Sequence, residues 1–117
     1  MAAIPKPTYK KKKPLFNGYK EKAERTCYYC KTYGAQRHEV YGGNPNRQIS
    51  IREKFQVDLC EKCHEGIQKQ ITKEDIDRKI YWQQYHQSRY EKKLIDSGIR
   101  PEQARAIWMS LIGWNYL

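Results

Sequence analysis

The sequence predicts a small α+β domain with a helical C-terminal half and a flexible basic arm at its N-terminus. Three observations lead there. The chain has 117 residues, the span of one domain or one domain plus an arm. Aromatic side chains make up 13 % of it, with 10 Tyr and 3 Trp, which is too many for a wholly disordered chain. Charged residues reach 31 % against 38 % hydrophobic, so the core is marginal for its size and needs a cross-link. No apolar run reaches the roughly 18 residues of a membrane span, and no apolar segment with a small-residue cleavage site opens the chain.

Residues 1 to 26 form the arm. They hold Lys6, Lys10, Lys11, Lys12, Lys13, Lys20, Lys22 and Arg25 against Glu21 and Glu24, which is 8 − 2 = +6 of the chain's net +10. Pro5, Pro7 and Pro14 keep its first half out of a regular helix. An extended cationic segment of this kind neutralises phosphates and gains affinity by releasing counterions, so Lys10 to Lys13 are candidate nucleic-acid contacts. A solubilising tail or a localisation signal is the other reading of the same charge.

The domain proper runs from 27 to 117. Cys27 and Cys30 form one Cys-x-x-Cys knuckle, and Cys60 and Cys63 form another, with 29 residues (31 to 59) between them. The missing secretory signal points to a reducing compartment, where disulfides do not persist. Two such knuckles then read as one tetrahedral structural zinc site. Two disulfides or free thiols are the alternative. Between the knuckles, Val40-Tyr41-Gly42-Gly43 and Asn44-Pro45-Asn46-Arg47 read as a loop. Phe55, Val57 and Leu59 alternate with Gln56 and Asp58 as a short strand leading into the second knuckle. A helix is expected at or just after that knuckle, near His64.

The remainder reads as helical. Thr72 and Asp75 have capping-box spacing, and 73 to 96 is rich in helix formers. Ile76, Ile80, Trp82 or Gln83, Tyr85, Tyr90 and Leu94 suggest its apolar face. Ser97-Gly98 is a stop and Pro101 suits the first turn of a last helix. Ala104, Ile107, Trp108 and Leu111 fall on one face of it. The apolar ending 112 to 117 is expected to pack back on the core, and the aromatics of this half read as core rather than base-stacking groups.

His38-Glu39 stands before the Gly-Gly loop and His64 directly after Cys63. Imidazole and carboxylate are the side chains of catalytic metal sites and general bases. Zinc at the knuckles would draw His64 toward His38. The string Cys27-x-x-Cys30, His38-Glu39-Val40-Tyr41-Gly42-Gly43, Asn44-x-Asn46-Arg47 and Val57-x-Leu59-Cys60-x-x-Cys63-His64 resembles the HNH nucleases of the ββα-metal fold. Within them it is similar to the phage-encoded branch related to the Ref recombination-enhancement nuclease. The ending Gly113-Trp114-Asn115-Tyr116-Leu117 also looks like the close of chains in that branch. The resemblance covers about 27 to 117.

The resemblance implies a hairpin and a helix gripping one divalent ion, Mg²⁺ or Mn²⁺ for preference. His38 and His64 stand where its ligands are expected, and Glu39 stands where the general base is expected. Gln68 occupies the third ligand's place and Phe55 that of the orienting Asn, which Asn44, Asn46 or Ser50 could replace. Glu39 could instead become a ligand, and His86 or a substrate phosphate could complete the site. Arg37 and Arg47 are candidate phosphate contacts. The expected activity is low-specificity hydrolysis of DNA phosphodiester bonds in phage recombination, replication or packaging, in the cytoplasm of the infected or lysogenic bacterial host. The alternatives are a zinc-bound nucleic-acid-binding module without activity, or a phage factor that binds and regulates a host protein. The expected partners are DNA and a recombination or host protein, with no membrane.

Overall fold

The computed structural model describes residues 22 to 117. Lys10 to Lys13 and most of the basic arm lie outside the described residues. Among the described residues the fold is α+β, with four α-helices and one two-stranded sheet. Strand β1 (Gln36–Glu39) pairs antiparallel with β2 (Gln56–Leu59), Gln36 opposite Leu59 and Glu39 opposite Gln56. Helix α1 (Asn46–Glu53) lies between the strands, α2 (Glu61–Lys69) follows β2 directly, and α3 (Lys73–Asp96) and α4 (Pro101–Ile112) complete the chain. Backbone bonds also tie the residues just before the first knuckle to the hairpin side. The Arg25 carbonyl accepts the Gly34 and Ala35 amides, and Thr26 bridges Tyr33.

Helix α1 stands in the stretch whose first part reads as loop. Its eight residues carry no apolar stripe, so periodicity is silent there. Tertiary bonds hold it instead. Buried Ser50 donates to the Tyr41 carbonyl at 3.0 Å and accepts the Tyr41 amide at 3.2 Å, while Asn46 donates to the Ile112 carbonyl at 3.0 Å. Lys54, at φ 64°, ends it, and the Phe55 amide closes on the Ser50 carbonyl at 2.8 Å. The chain thereby re-enters the hairpin at the expected alternation, with Phe55, Val57 and Leu59 all buried.

Helix α2 begins at Glu61, at the second knuckle as expected, with Cys60 as its N-cap accepting the Cys63 amide. Helix α3 starts with the complete capping box, Asp75 N–H to Thr72 and Thr72 N–H to Asp75, both at 3.1 Å. Such a cap is worth about 1 kcal/mol. Gly66 of α2 faces this cap so closely that a Cβ there would sit 2.8 Å from the Asp75 carboxylate.

The face that α3 buries differs from the apolar tally. Trp82, His86, Gln87 and Glu91 are buried, while Ile76 and Ile80 are exposed. A count of apolar residues misses buried polar groups that have partners elsewhere in the chain. Gln87 donates to Asn115 at 2.9 Å and to Glu91 at 2.8 Å, and it accepts the Tyr116 amide at 2.8 Å. Glu91 also receives Arg105 of α4 at 2.8 Å. On α4 the buried residues are Ala104, Trp108 and Ile112, with Ile107 turned outward. Trp108, fully buried, is ringed by Tyr41, Phe55 and Tyr90, and its indole N–H donates to the Trp114 carbonyl at 2.8 Å. The ending does pack back, Tyr116 against Tyr41 and Trp108 over Trp114's backbone, although the Trp114 side chain itself is exposed. Among the described residues, no helix is long and apolar enough to cross a membrane.

Two outcomes follow for stability. Trp108→Ala should cost about 3–5 kcal/mol in urea denaturation, a large part of the 5–15 kcal/mol typical of a domain; a loss under about 1 kcal/mol would contradict its place at the centre of the core. His86, whose ring is buried against Trp82 and Phe55, is pulled down to about 4 by that burial, despite a hydrogen bond to the Gln56 carbonyl that favours the charged form. The unfolded chain then binds the proton that the folded chain refuses between pH 6.5 and about 4, so stability falls as pH falls through that window. His86→Phe should remove this part of the slope in a pH series of thermal midpoints, leaving stability near pH 8 little changed by protonation.

Candidate functional site

Each knuckle is built by a local turn. In the first, the Cys27 amide donates to the Thr32 carbonyl and the Lys31 amide to the Cys27 carbonyl, both at 2.9 Å, with Lys31 in the left-handed region. The second is the junction of β2 and α2. The Tyr28 amide bonds to the Asp58 carbonyl at 2.9 Å and so ties the first knuckle to the strand that delivers the second. All four sulfurs then lie within 4.8 Å of one another. Cys30 and Cys63 approach to 3.5 Å and Cys30 and Cys60 to 3.9 Å, far beyond a bonded S–S pair, and all four thiols are free. Amides aim at the sulfurs, Cys30 N–H at Cys27 (3.3 Å) and Cys63 N–H at Cys60 (3.5 Å). Burial raises the Cys27 thiol, but these and neighbouring hydrogen bonds outweigh it and bring it down to about 7, whereas burial drives Cys63 up. Four sulfurs this close, two of them buried, form a cluster that could hold a metal ion.

Beside the cluster the structure brings His38 and His64 together. His38 is the third residue of β1 and His64 lies in the first turn of α2; their rings meet edge to face at 5.1 Å. Burial is the main reason that His38 is lowered to about 4, with the charges of His64 and Lys79 adding to it. His38 is therefore neutral at pH 7 and keeps a ring nitrogen lone pair for a ligand.

The other residues expected at this site are placed differently. Glu39 follows His38 on the strand, so its side chain leaves the opposite face of the pleat. Its carboxylate is held at both oxygens, by Arg47 Nε at 3.3 Å and by Gln56 Nε2 at 3.2 Å. Gln68 is exposed on α2, one turn beyond His64. Phe55 is core, packed on Tyr41 and Trp108, and offers no polar atom. Asn46 and Ser50 are engaged with Ile112 and Tyr41, and Asn44 is exposed. His86 belongs to the α3 core, packed at a tilt between Phe55 and Trp82. Arg37 stands opposite Asp58 in the hairpin and lowers its carboxyl, though burial raises it more. Among the described residues, the four cysteines are the one set of three or more His, Cys, Asp or Glu within common ligand reach, so no third such residue joins His38 and His64.

Two neighbours were not visible from spacing. Gln56 looks like the outward member of a strand but is buried and restrains Glu39. Lys79, on α3, is a charge near His38 that only the tertiary fold supplies.

Cys60→Ala removes a sulfur and the α2 cap together. It should lower the thermal midpoint by more than about 10 °C, since each kcal/mol moves the midpoint by about 4–8 °C in a domain of this size. A strong chelator should lower the wild type similarly and leave the variant unchanged; an unshifted wild type would show that the cluster holds no metal that matters to folding. No family profile, no curated protein and no solved structure matches this chain.

Proposed function

We propose that the chain is a zinc-stapled, divalent-metal-dependent endonuclease of the HNH type that hydrolyses DNA phosphodiester bonds with low sequence specificity, in phage recombination, replication or packaging. The observation that carries this reading is the meeting of His38 and His64, 26 positions apart in sequence, at the junction of a hairpin and the helix that follows it. The two paired strands and the helix that follows β2 are the elements a ββα-metal site uses, here with α1 inserted between the strands. The +10 net charge suits a polyanionic substrate.

Zinc suits the cysteine cluster. Zn–S bonds of about 2.3 Å in a tetrahedron set sulfurs about 3.8 Å apart. The 3.5 and 3.9 Å separations bracket that value. All-thiolate, four-coordinate sites are structural and leave no open position, so the chemistry falls to the histidine pair.

On this reading His38 and His64 would hold a Mg²⁺ or Mn²⁺ ion. When bound, that ion supplies charge stabilisation at the phosphate and the leaving 3′ oxygen. Glu39 is the group assigned to take the proton of the attacking water, and its carboxylate would first have to leave Arg47 and Gln56 and turn from the opposite face of the strand toward the histidines. The Arg47 fork matches a phosphate as well as a carboxylate. A substrate phosphate at Arg47 would therefore free one Glu39 oxygen and leave Gln56 on the other. A second reading rests on the same contacts: with Glu39 held and no third ligand beside the histidines, the fold serves as a zinc-bound nucleic-acid-binding module without cleavage.

A plasmid nicking assay with Mg²⁺, Mn²⁺ or Ni²⁺ separates the two. Nicking should need the metal and fall at least about 100-fold in His38→Ala and in His64→Ala, with thermal midpoints unchanged. Wild-type protein that binds DNA in a salt-dependent manner yet nicks it under no ion would overturn the nuclease and leave the binding module.

A further inference from the structure

The outer face of α3 carries a pattern that neither the zinc cluster nor the histidine pair uses. Tyr81, Tyr85 and Arg89 follow one another at four-residue steps, and Lys93 continues the row, so one stripe of the helix passes from aromatic to cationic over about 18 Å. The Tyr81 and Tyr85 rings are stacked, 19° apart in plane with centroids at 5.8 Å. The Arg89 guanidinium lies over the Tyr85 ring at 5.4 Å and donates to its hydroxyl at 2.7 Å. Tyr81 is 49 % exposed and so presents a ring to solvent.

The C-terminal half of this stripe forms one wall of a groove of about 640 Å³, whose opposite wall is the end of α1 and the start of β2. Tyr85, Tyr90 and Phe55 give it an aromatic floor, and Lys54, Arg89 and Lys93 give it a cationic rim. Two acids also line it, and both are already answered: Glu53 by Arg52 at 3.1 Å and Asp96 by Lys92 at 2.8 Å. With Lys92, the lining carries four cations against two acids, 4 − 2 = +2.

Stacked aromatic faces beside a row of cations are what an unpaired nucleic-acid strand needs, since every base has a π-face and every linkage a phosphate. A duplex hides its bases and would meet only the cations. We propose that the α3 groove, with the exposed Tyr81 just beyond its end, is a binding site for an unpaired nucleic-acid strand, its phosphates held in the groove by Lys54, Arg89 and Lys93 and its bases stacking on Tyr85 and, where the strand leaves the groove, on Tyr81. This deepens the proposed function by giving the protein a means to prefer single-stranded or branched substrate, and it rests on that reading only for its consequence. The binding itself needs neither the divalent ion nor cleavage.

The test is fluorescence anisotropy of the full chain with an oligothymidine and an oligouridine of about 16 nucleotides and with a duplex of the same length, in a buffer without added divalent ions. Tyr81→Ala should weaken single-strand binding about 5- to 150-fold, the range for loss of one stacked base, with duplex binding within a factor of about two. Tyr81→Phe, which keeps the π-face, should restore it. Lys54→Gln with Lys93→Gln should flatten the single-strand salt dependence by about 1.4 in log–log slope, about 0.7 per lost phosphate contact. Comparison of the thymidine and uridine strands shows whether DNA or RNA is preferred, and either preference supports the site. Equal losses on single strand and duplex, or no loss in Tyr81→Ala with its thermal midpoint unchanged, would overturn it. His38→Ala should bind the single strand as the wild type does, so a failed nicking assay and a failed groove are separate results.

Discussion

The junction of the two cysteine knuckles is the constraint on which the rest of the structure depends. It binds residues 27 to 30 to residues 60 to 63 across a long intervening segment. A chain this polar has little apolar area with which to hold such distant parts together, and closure of a long loop is costly before any contact rewards it. The cluster meets that cost locally. Cys60 serves both as a member of the sulfur cluster and as the N-cap of α2, so the same residue completes the cluster and aims the helix. The hairpin register and the meeting of His38 with His64 are downstream of that placement.

The second half of the molecule is held differently. Helix α3 buries a mixture of aromatic and polar groups, and the polar ones are satisfied by the chain's own ending. Gln87 alone bonds Glu91, Asn115 and the Tyr116 amide. A buried amide with partners for both its oxygen and its nitrogen costs little, whereas one left unmatched costs 1–3 kcal/mol, by a rough measure. The polar network therefore specifies one seating of the last five residues, while the Trp108 cluster supplies the bulk of the burial.

Much of this was legible in the sequence, and what was not has a physical cause. The cysteine knuckles, the capping box at Thr72 and Asp75, the bounds of α3, the stop at Gly98 and the start at Pro101 are local signals with local causes. Helix α1 was hidden because eight residues without an apolar stripe depend on Ser50 and Asn46 finding partners far away. The buried face of α3 was misjudged because Gln87 and Glu91 count as surface in any apolar tally. At the candidate site, His38 and His64 could be paired in advance because the cysteines that flank them must meet. The restraint on Glu39 could not, since it comes from Gln56 across the hairpin and Arg47 of a helix the pattern did not show.

The direct adjacency of Cys63 and His64 has a consequence for how this chain can change over generations. Both lie in the first turn of α2, where each added or deleted position would swing the following side chain about 100° around the helix axis. An insertion there would turn the imidazole away from His38 while leaving the sulfurs in place. The exposed glycines at 42 and 43, by contrast, have open space around them. Length variation among descendants of this sequence should therefore collect at that loop and be purged from the five positions after Leu59, Cys60 to His64. The cysteine cluster thus acts as a ruler: it tolerates slack between its two ends and none beyond them.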